Sequence, residues 1–285
     1  MKSLKYTCSC CANVNNDFLY RKNEFNIYKC TICGLAFTEV PKDFNFSEYY
    51  SEKYFQGGDR YGYYDYKSSE NVLRKEFSNV LAFLRKRLSN KSGLRLLEVG
   101  SAYGYFLEIA SEYFESTGLE ISEHASRIAL EKGLNVYNST INQEILQKVG
   151  YFDVIVLLDV IEHLSDLNTT FNLLANHLNS NGYILITTGN FSSLLSRIMG
   201  RNWRLLTPPQ HLYFFNKKNI AKLLNKYGFE IVEINVPWKI VPLGLAIYQV
   251  LRRIFKKITI NNNLNRIAVP INLFDTMRIL ARKKS

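Results

Sequence analysis

The chain has 285 residues, 47% apolar and 21% charged, with 36 Lys+Arg against 25 Asp+Glu and a formal net charge of +11. Ordinary globular usage excludes a disordered chain, and the length suits one large domain or one domain plus a small appendage. Residues 1–70 carry 9 basic and 9 acidic side chains, whereas residues 237–285 carry 10 basic side chains and Asp275 as their one acid; a coat of basic charge for nucleic acid is therefore excluded.

Met1–Thr7 lacks the apolar stretch of an export signal, and no segment reaches the ~18–20 uncharged apolar residues of a membrane span. A cytoplasmic chain with reduced cysteines is expected. Cys8-x2-Cys11 and Cys30-x2-Cys33, with 18 residues between the pairs, have the spacing of a tetrahedral structural zinc site; unrelated buried cysteines are the bland alternative. Gly34 follows the second pair where a knuckle turn calls for positive φ. Cys10 reads as a spare thiol. Residues 1–43 are thus expected to form a zinc-binding module. Residues 44–70 read as an aromatic linker or lid, because residues 44–66 contain ten aromatic residues in 23.

From residue 71 to 285 the pattern is α/β. Val72, Leu73, Phe77, Val80, Leu81, Leu84 and Leu88 predict a helix, followed by a strand at 94–99 and the turn Gly100-Ser101-Ala102-Tyr103-Gly104. A helix at 105–114, a strand at 116–121, a helix at 122–132 and a short strand at 136–137 continue the alternation. The uninterrupted apolar run 152–158 predicts a strand buried on both faces, followed by a helix at 166–178 and a strand at 183–188. This rhythm predicts a doubly wound, Rossmann-like sheet, with ligands at the carboxyl ends of the strands.

Gly100 and Gly104 allow close backbone approach to a ligand. Glu98 suits a cationic amino-acid group, and Glu120, 22 residues later, suits ribose hydroxyls. Asp159, Glu162 and His163 cluster after the fourth strand. His163 reads as an orienting hydrogen-bonding residue or a base. His211, in the loop Leu206-Thr207-Pro208-Pro209-Gln210-His211, reads as a substrate-side base or a loop-holding residue. His124 and His177 fall on outer helix positions and are expected in solvent. Trp203 and Arg204 read as acceptor-pocket lining or as packing residues. Near the C-terminus an insertion at about 238–272 carries an amphipathic stripe. Leu243, Ile247, Val250, Leu251, Ile254 and Ile258 fall on one face, with Arg252, Arg253, Lys256 and Lys257 on the other. Residues 243–258 would contact the protein itself, a second subunit in a homodimer, or the inner surface of an anionic membrane.

The motifs YKCTICGLAF, LLEVGSAYGYFLEIA, STGLEIS, YFDVIVLLDVIEHL, NGYILITTGN and PPQHLYFF resemble those of class I S-adenosylmethionine-dependent methyltransferases, particularly bacterial ones with an N-terminal four-cysteine zinc module. The resemblance implies that Glu98, Gly100 and Gly104 hold the methionine end of S-adenosylmethionine and Glu120 its ribose, with Asp159 beside the cofactor. It also implies that FDTMRILARK is the last, antiparallel strand. Ala102 stands where a glycine is usual, and Asn138-Ser139-Thr140 where an adenine-contacting Asp is usual. The implied activity is methyl transfer to a small-molecule acceptor, foremost a sugar or cell-envelope polysaccharide precursor, with other secondary-metabolite acceptors as the alternative. The other readings are an RNA-modifying methyltransferase that grips RNA with the zinc module, and a non-catalytic zinc-bearing scaffold. The net charge of 0 over residues 1–70 speaks against an RNA grip.

Overall fold

The computed structural model describes residues 6–41, 44, 52–55, 65–88, 92–251 and 261–284. Its strands in chain order are β1 (Asn16–Lys22), β2 (Phe25–Cys30), β3 (Ala36–Thr38), β4 (Arg95–Val99), β5 (Glu115–Glu120) and β6 (Val136–Asn138). They continue with β7 (Phe152–Leu158), β8 (Leu178–Gly189), β9 (Tyr213–Phe214), β10 (Phe229–Asn235), β11 (Lys239–Pro242), β12 (Ala268–Ile271) and β13 (Thr276–Lys283). The chain divides into two compact units, Met1–Phe44 with Ile141–Pro237 and Leu273–Ser285, and Asn45–Thr140 with Trp238–Asn272.

The first unit contains two sets of strands. β1, β2, β3 and β9 form an antiparallel sheet in that order. In the other set β7 and β8 run parallel, and β13 lies antiparallel between β8 and β10, as the last-strand expectation required. The apolar run of β7 is buried as expected, with Phe152, Val154, Ile155, Val156 and Leu157 all at 0% exposure. The β8 strand begins at Leu178, directly after the helix Leu167–His177, and so is longer than its apolar stretch predicts. Asp166 starts that helix by accepting hydrogen bonds from the amides of Asn168 and Thr169.

The second unit holds the parallel set β4, β5 and β6, joined by the helices Tyr105–Ala110 and Glu123–Glu131. The first helix stops four residues short of its expected end. The long helix Glu70–Arg87 buries Val72, Leu73, Val80, Leu81 and Leu84, which is the predicted stripe. β11 and β12 pair around the helix Leu243–Leu251, and the Ile240 amide donates to Glu76 Oε2 (2.6 Å). The basic residues of the predicted amphipathic face, Arg252, Arg253, Lys256 and Lys257, lie outside the described residues, as does most of the aromatic segment 44–66. Tyr54, Phe55 and Tyr66 from that segment pack against Tyr103 and Tyr105, directly after the glycine turn.

Two histidine expectations are corrected. His177 is buried at 7% exposure and its Nδ1 donates to the Leu173 carbonyl (2.9 Å). His124 is half-buried, with its Nε2 at 3.1 Å from the Tyr103 hydroxyl. In both cases the imidazole has a partner on the inner side of its helix that periodicity does not reveal. The helices Gln143–Val149 and Lys217–Lys226 were not anticipated. Their capping residues Asn142 and Asn216 were visible signals, the latter forming a full capping box with Asn219.

Candidate functional site

The four paired cysteines converge. The sulfur atoms of Cys8, Cys11, Cys30 and Cys33 all lie within 4.8 Å of one another. Cys8 and Cys33 are 3.5 Å apart at sulfur, as are Cys11 and Cys30. These spacings are far beyond a disulfide bond of ~2.05 Å and close to the ~3.8 Å edges of a tetrahedron with ~2.3 Å zinc–sulfur bonds. Both turns after the pairs use left-handed backbone, Gly34 at φ 71° as expected and Ala12 at φ 58°, which the sequence did not flag. Asn13 Nδ2 lies 3.4 Å from Cys30 Sγ and donates to it, the kind of outer contact that orients a thiolate. The Cys10 thiol is buried beside Cys8 and Cys33, and burial contributes to raising it far above an ordinary thiol after the hydrogen bonds it makes to those two.

In the second unit the turn after β4 forms a cradle. Gly104 has φ 76°, a conformation strained for any other residue, and a Cβ there would push Leu134 Cδ1 aside and press on Ala129 Cβ at 3.2 Å. Ala102 occupies the left-handed region at φ 47° in place of glycine. Glu98 is buried at 3% exposure, and its Oε2, like Ser101 Oγ, has no hydrogen-bond partner among the described residues. Burial first, and the nearby Glu120 second, push the Glu98 carboxyl well above the usual range. A buried carboxyl with an open oxygen fits a cationic ligand group, whose charge would both pair with it and ionise it.

Glu120 is buried too. Its Oε2 accepts from the Ala102 amide and its Oε1 from the Ser122 amide, each at 2.8 Å, tying the turn to the loop after β5. A third backbone hydrogen bond comes from Ile121, which leaves part of the carboxylate's acceptor capacity for a ligand hydroxyl. Asn138, in the position where Asp was missed, donates from Nδ2 to the carbonyls of Glu120 (2.9 Å) and Ile121 (3.0 Å) and so fixes the same loop.

In the first unit, ligand-capable atoms of Glu162, His163 and His211 lie within 4.8 Å of one another. The imidazoles meet edge-on, with centroids 4.7 Å apart and an interplanar angle of 77°. His163 Nδ1 donates to the Gln210 carbonyl (2.9 Å) and His211 Nδ1 to the Leu205 carbonyl (2.6 Å). A carbonyl only accepts, so each Nδ1 carries the proton, and His211 Nε2 presents its lone pair. Burial lowers His163 to about 4 and His211 to about 3, with the neighbouring His163 as the second cause for His211. Both rings are therefore uncharged at neutral pH. His211, Glu162, Trp203, Tyr213 and Phe214 line a small cavity.

Asp159 stands exposed at the end of β7 with φ 55°, and its Oδ1 accepts from Thr187 Oγ1 (2.9 Å). Trp203 and Arg204 are chiefly packing residues. The Trp203 indole, 1% exposed, donates to Asp275 Oδ2 (2.9 Å), and Arg204 pairs with Asp275 at 2.8 Å. Sequence reasoning missed Ser101, and it missed the Leu205 and Gln210 carbonyls, which no residue type advertises.

A family model described as a methyltransferase domain matches residues 72–234. The ubiquinone biosynthesis O-methyltransferase of Bordetella avium is 28% identical over 173 residues, 56% of this chain and 69% of that protein. The malonyl-[acyl-carrier protein] O-methyltransferase of Bacillus cereus is 29% identical over 129 residues, 43% of this chain and 48% of that protein. Among solved structures, magnesium protoporphyrin IX methyltransferase from Synechocystis PCC 6803 with bound SAH gives a TM-score of 0.51 at 15% identity, covering 84% of this chain and 100% of that one. That likeness shows the Rossmann-like α/β fold. Among the described residues no helix is long and apolar enough to cross a membrane.

Proposed function

Because the chain belongs to the methyltransferase-domain family and is an S-adenosylmethionine-dependent enzyme, we propose that it methylates a hydroxyl of a small-molecule acceptor, with a sugar or cell-envelope polysaccharide precursor as the acceptor class. The names of the relatives support oxygen as the acceptor atom. The sugar class is supported by the resemblance of the four-cysteine arrangement to bacterial enzymes of that type.

S-adenosylmethionine supplies, when bound, a methyl group on a sulfonium that is already a good leaving group. Glu98 fits the ammonium of its methionine end, since the Oε2 of this buried carboxyl has no protein partner among the described residues. Gly100 and Gly104 keep the adjoining backbone open, and Glu120 accepts ribose hydroxyls with its remaining lone pairs. Asp159 flanks the cofactor.

The observation that carries the reading of the reaction is the tautomer of His211. Its Nδ1–H is committed to Leu205, which leaves Nε2 as the nitrogen that takes the acceptor hydroxyl's proton. His163 orients the adjoining loop through the Gln210 carbonyl. The four cysteines hold a structural zinc within a module at 1–43, followed by the aromatic segment 44–70 and the methyltransferase domain 71–285. The site of action is cytoplasmic. The segment 243–258, of which 252–258 lie outside the described residues, is the part of the sequence suited to contact with an anionic membrane or a second subunit.

The test is calorimetry with S-adenosylhomocysteine alongside turnover with nucleotide-sugar acceptors and with total RNA. His211→Ala is expected to lower kcat by about 10²–10⁴-fold while the dissociation constant for S-adenosylhomocysteine stays within about twofold. Unchanged turnover removes His211 as the base, and methyl incorporation into RNA alone replaces the acceptor class.

A further inference from the structure

We propose that Thr38 is a positioning residue for His211, and that metal loading of the four-cysteine cluster sets the His211 imidazole through it. The inference rests on the reading of His211 as the base. It comes from the way the cysteine module and the histidine loop share one sheet.

β3 starts three residues after Cys33 and pairs with β9, Ala36 opposite Phe214 and Phe37 opposite Tyr213. β9 follows His211 by two residues. At the end of this ladder Thr38 makes two long-range bonds, the one to His211 spanning 173 positions in sequence. Its amide donates to the Leu212 carbonyl (2.8 Å), and its Oγ1 donates to the His211 carbonyl (2.8 Å). Thr38 is 6% exposed, and removing its hydroxyl would take away this hydrogen bond to the partly buried His211 carbonyl. The same His211–Leu212 peptide is fixed from its other side, since the Leu212 amide donates to the Glu162 carbonyl (2.8 Å). Asn23, in the β1–β2 turn, holds the start of the loop by donating from Nδ2 to the Pro208 carbonyl (2.9 Å).

The path from metal to imidazole is short. The Cys30 amide donates to the Leu35 carbonyl and the Gly34 amide to the Cys30 carbonyl, so the geometry of the second knuckle fixes where β3 begins. With four thiolates drawn onto one ion, β3 is held in register. Without the ion the knuckle carries unopposed thiols and the strand loses its anchor. Displacement of a base by about 1 Å costs on the order of 10²-fold in rate.

The experiment uses the full chain in the zinc-loaded form, the chelator-treated form, and two variants, Thr38→Val and Thr38→Ser. Imidazole 15N resonances of His211, assigned by their loss in His211→Gln, report the ring's tautomer and surroundings independently of turnover. Thr38→Val is expected to move those resonances and lower kcat about 10–100-fold, with S-adenosylhomocysteine affinity within about twofold, and Thr38→Ser is expected to restore both. Chelation is expected to move the same resonances and zinc ion to return them. Unmoved His211 resonances in Thr38→Val, or on chelation and zinc addition, overturn the proposal. If Thr38→Val fails to fold, Asn23→Ala supplies the same resonance measurement from the other end of the loop. Unchanged turnover in His211→Ala defeats the base reading alone, because the resonance shifts still report whether Thr38 holds the ring.

Discussion

Burial and the neighbouring Glu120 push the Glu98 carboxyl well above the usual carboxylate range, and the group has an oxygen without a hydrogen-bond partner among the described residues. A raised carboxyl contributes stability that is complete below its unfolded value and fades as pH rises through its folded value. Glu98→Gln keeps the shape and removes that loss, so its thermal midpoint at neutral pH should equal or exceed the wild type. Its affinity for S-adenosylhomocysteine should fall about 10–100-fold, the loss expected for a charge-assisted hydrogen bond of ~1.5–3 kcal/mol. Calorimetry and a thermal melt check both halves, and undiminished affinity would detach Glu98 from the cofactor. The residue types at 98, 120, 163 and 211 were readable from their places after strands. What residue letters do not carry is which atom of each is committed. Glu120 has both oxygens on backbone amides, and His211 takes its tautomer from the Leu205 carbonyl.

At the scale of the element, the two cysteine knuckles make a matched pair with unequal fourth positions. Gly34 takes its φ of 71° without strain, whereas Ala12 at φ 58° places a methyl group in the left-handed region. Ala12→Gly is expected to raise stability by roughly 0.5–1 kcal/mol, read as a higher urea midpoint of the zinc-loaded protein at unchanged slope. A lowered midpoint would show that the Ala12 methyl contributes packing that outweighs its backbone cost. Most helices of the α/β repeat were found to within a few residues because their apolar faces recur at three and four, whereas the short Gln143–Val149 helix was not. The small strands were not. β1 and β2 lack clean alternation of buried and exposed residues, and β9 has only two residues. Such pieces are strands because a neighbour pairs with them, which is tertiary information.

Over the whole molecule, the two imidazoles couple stability to acid. The fold lowers His163 to about 4 and His211 to about 3, mainly by burial, whereas an unfolded chain titrates them near ~6.5. Between these limits the unfolded state binds more protons, so stability rises with pH and is lost as pH falls below ~6.5. The urea midpoint should therefore drop from pH 7.5 to pH 5.5 by more in the wild type than in the double variant His163→Gln with His211→Gln. Parallel pH profiles would mean that neither ring is held neutral. The charge imbalance is a feature of the same scale. Most of the +11 resides in residues 237–285, apart from the neutral segment that bears the cysteines. The ladder between β3 and β9 also imposes a timetable on biosynthesis. With 173 residues between Thr38 and His211, translation at ~5–20 residues per second separates their emergence by roughly 10–35 s. For that interval the nascent hairpin waits with its β3 edge uncovered, and a ribosome stalled before residue 213 lengthens the exposure.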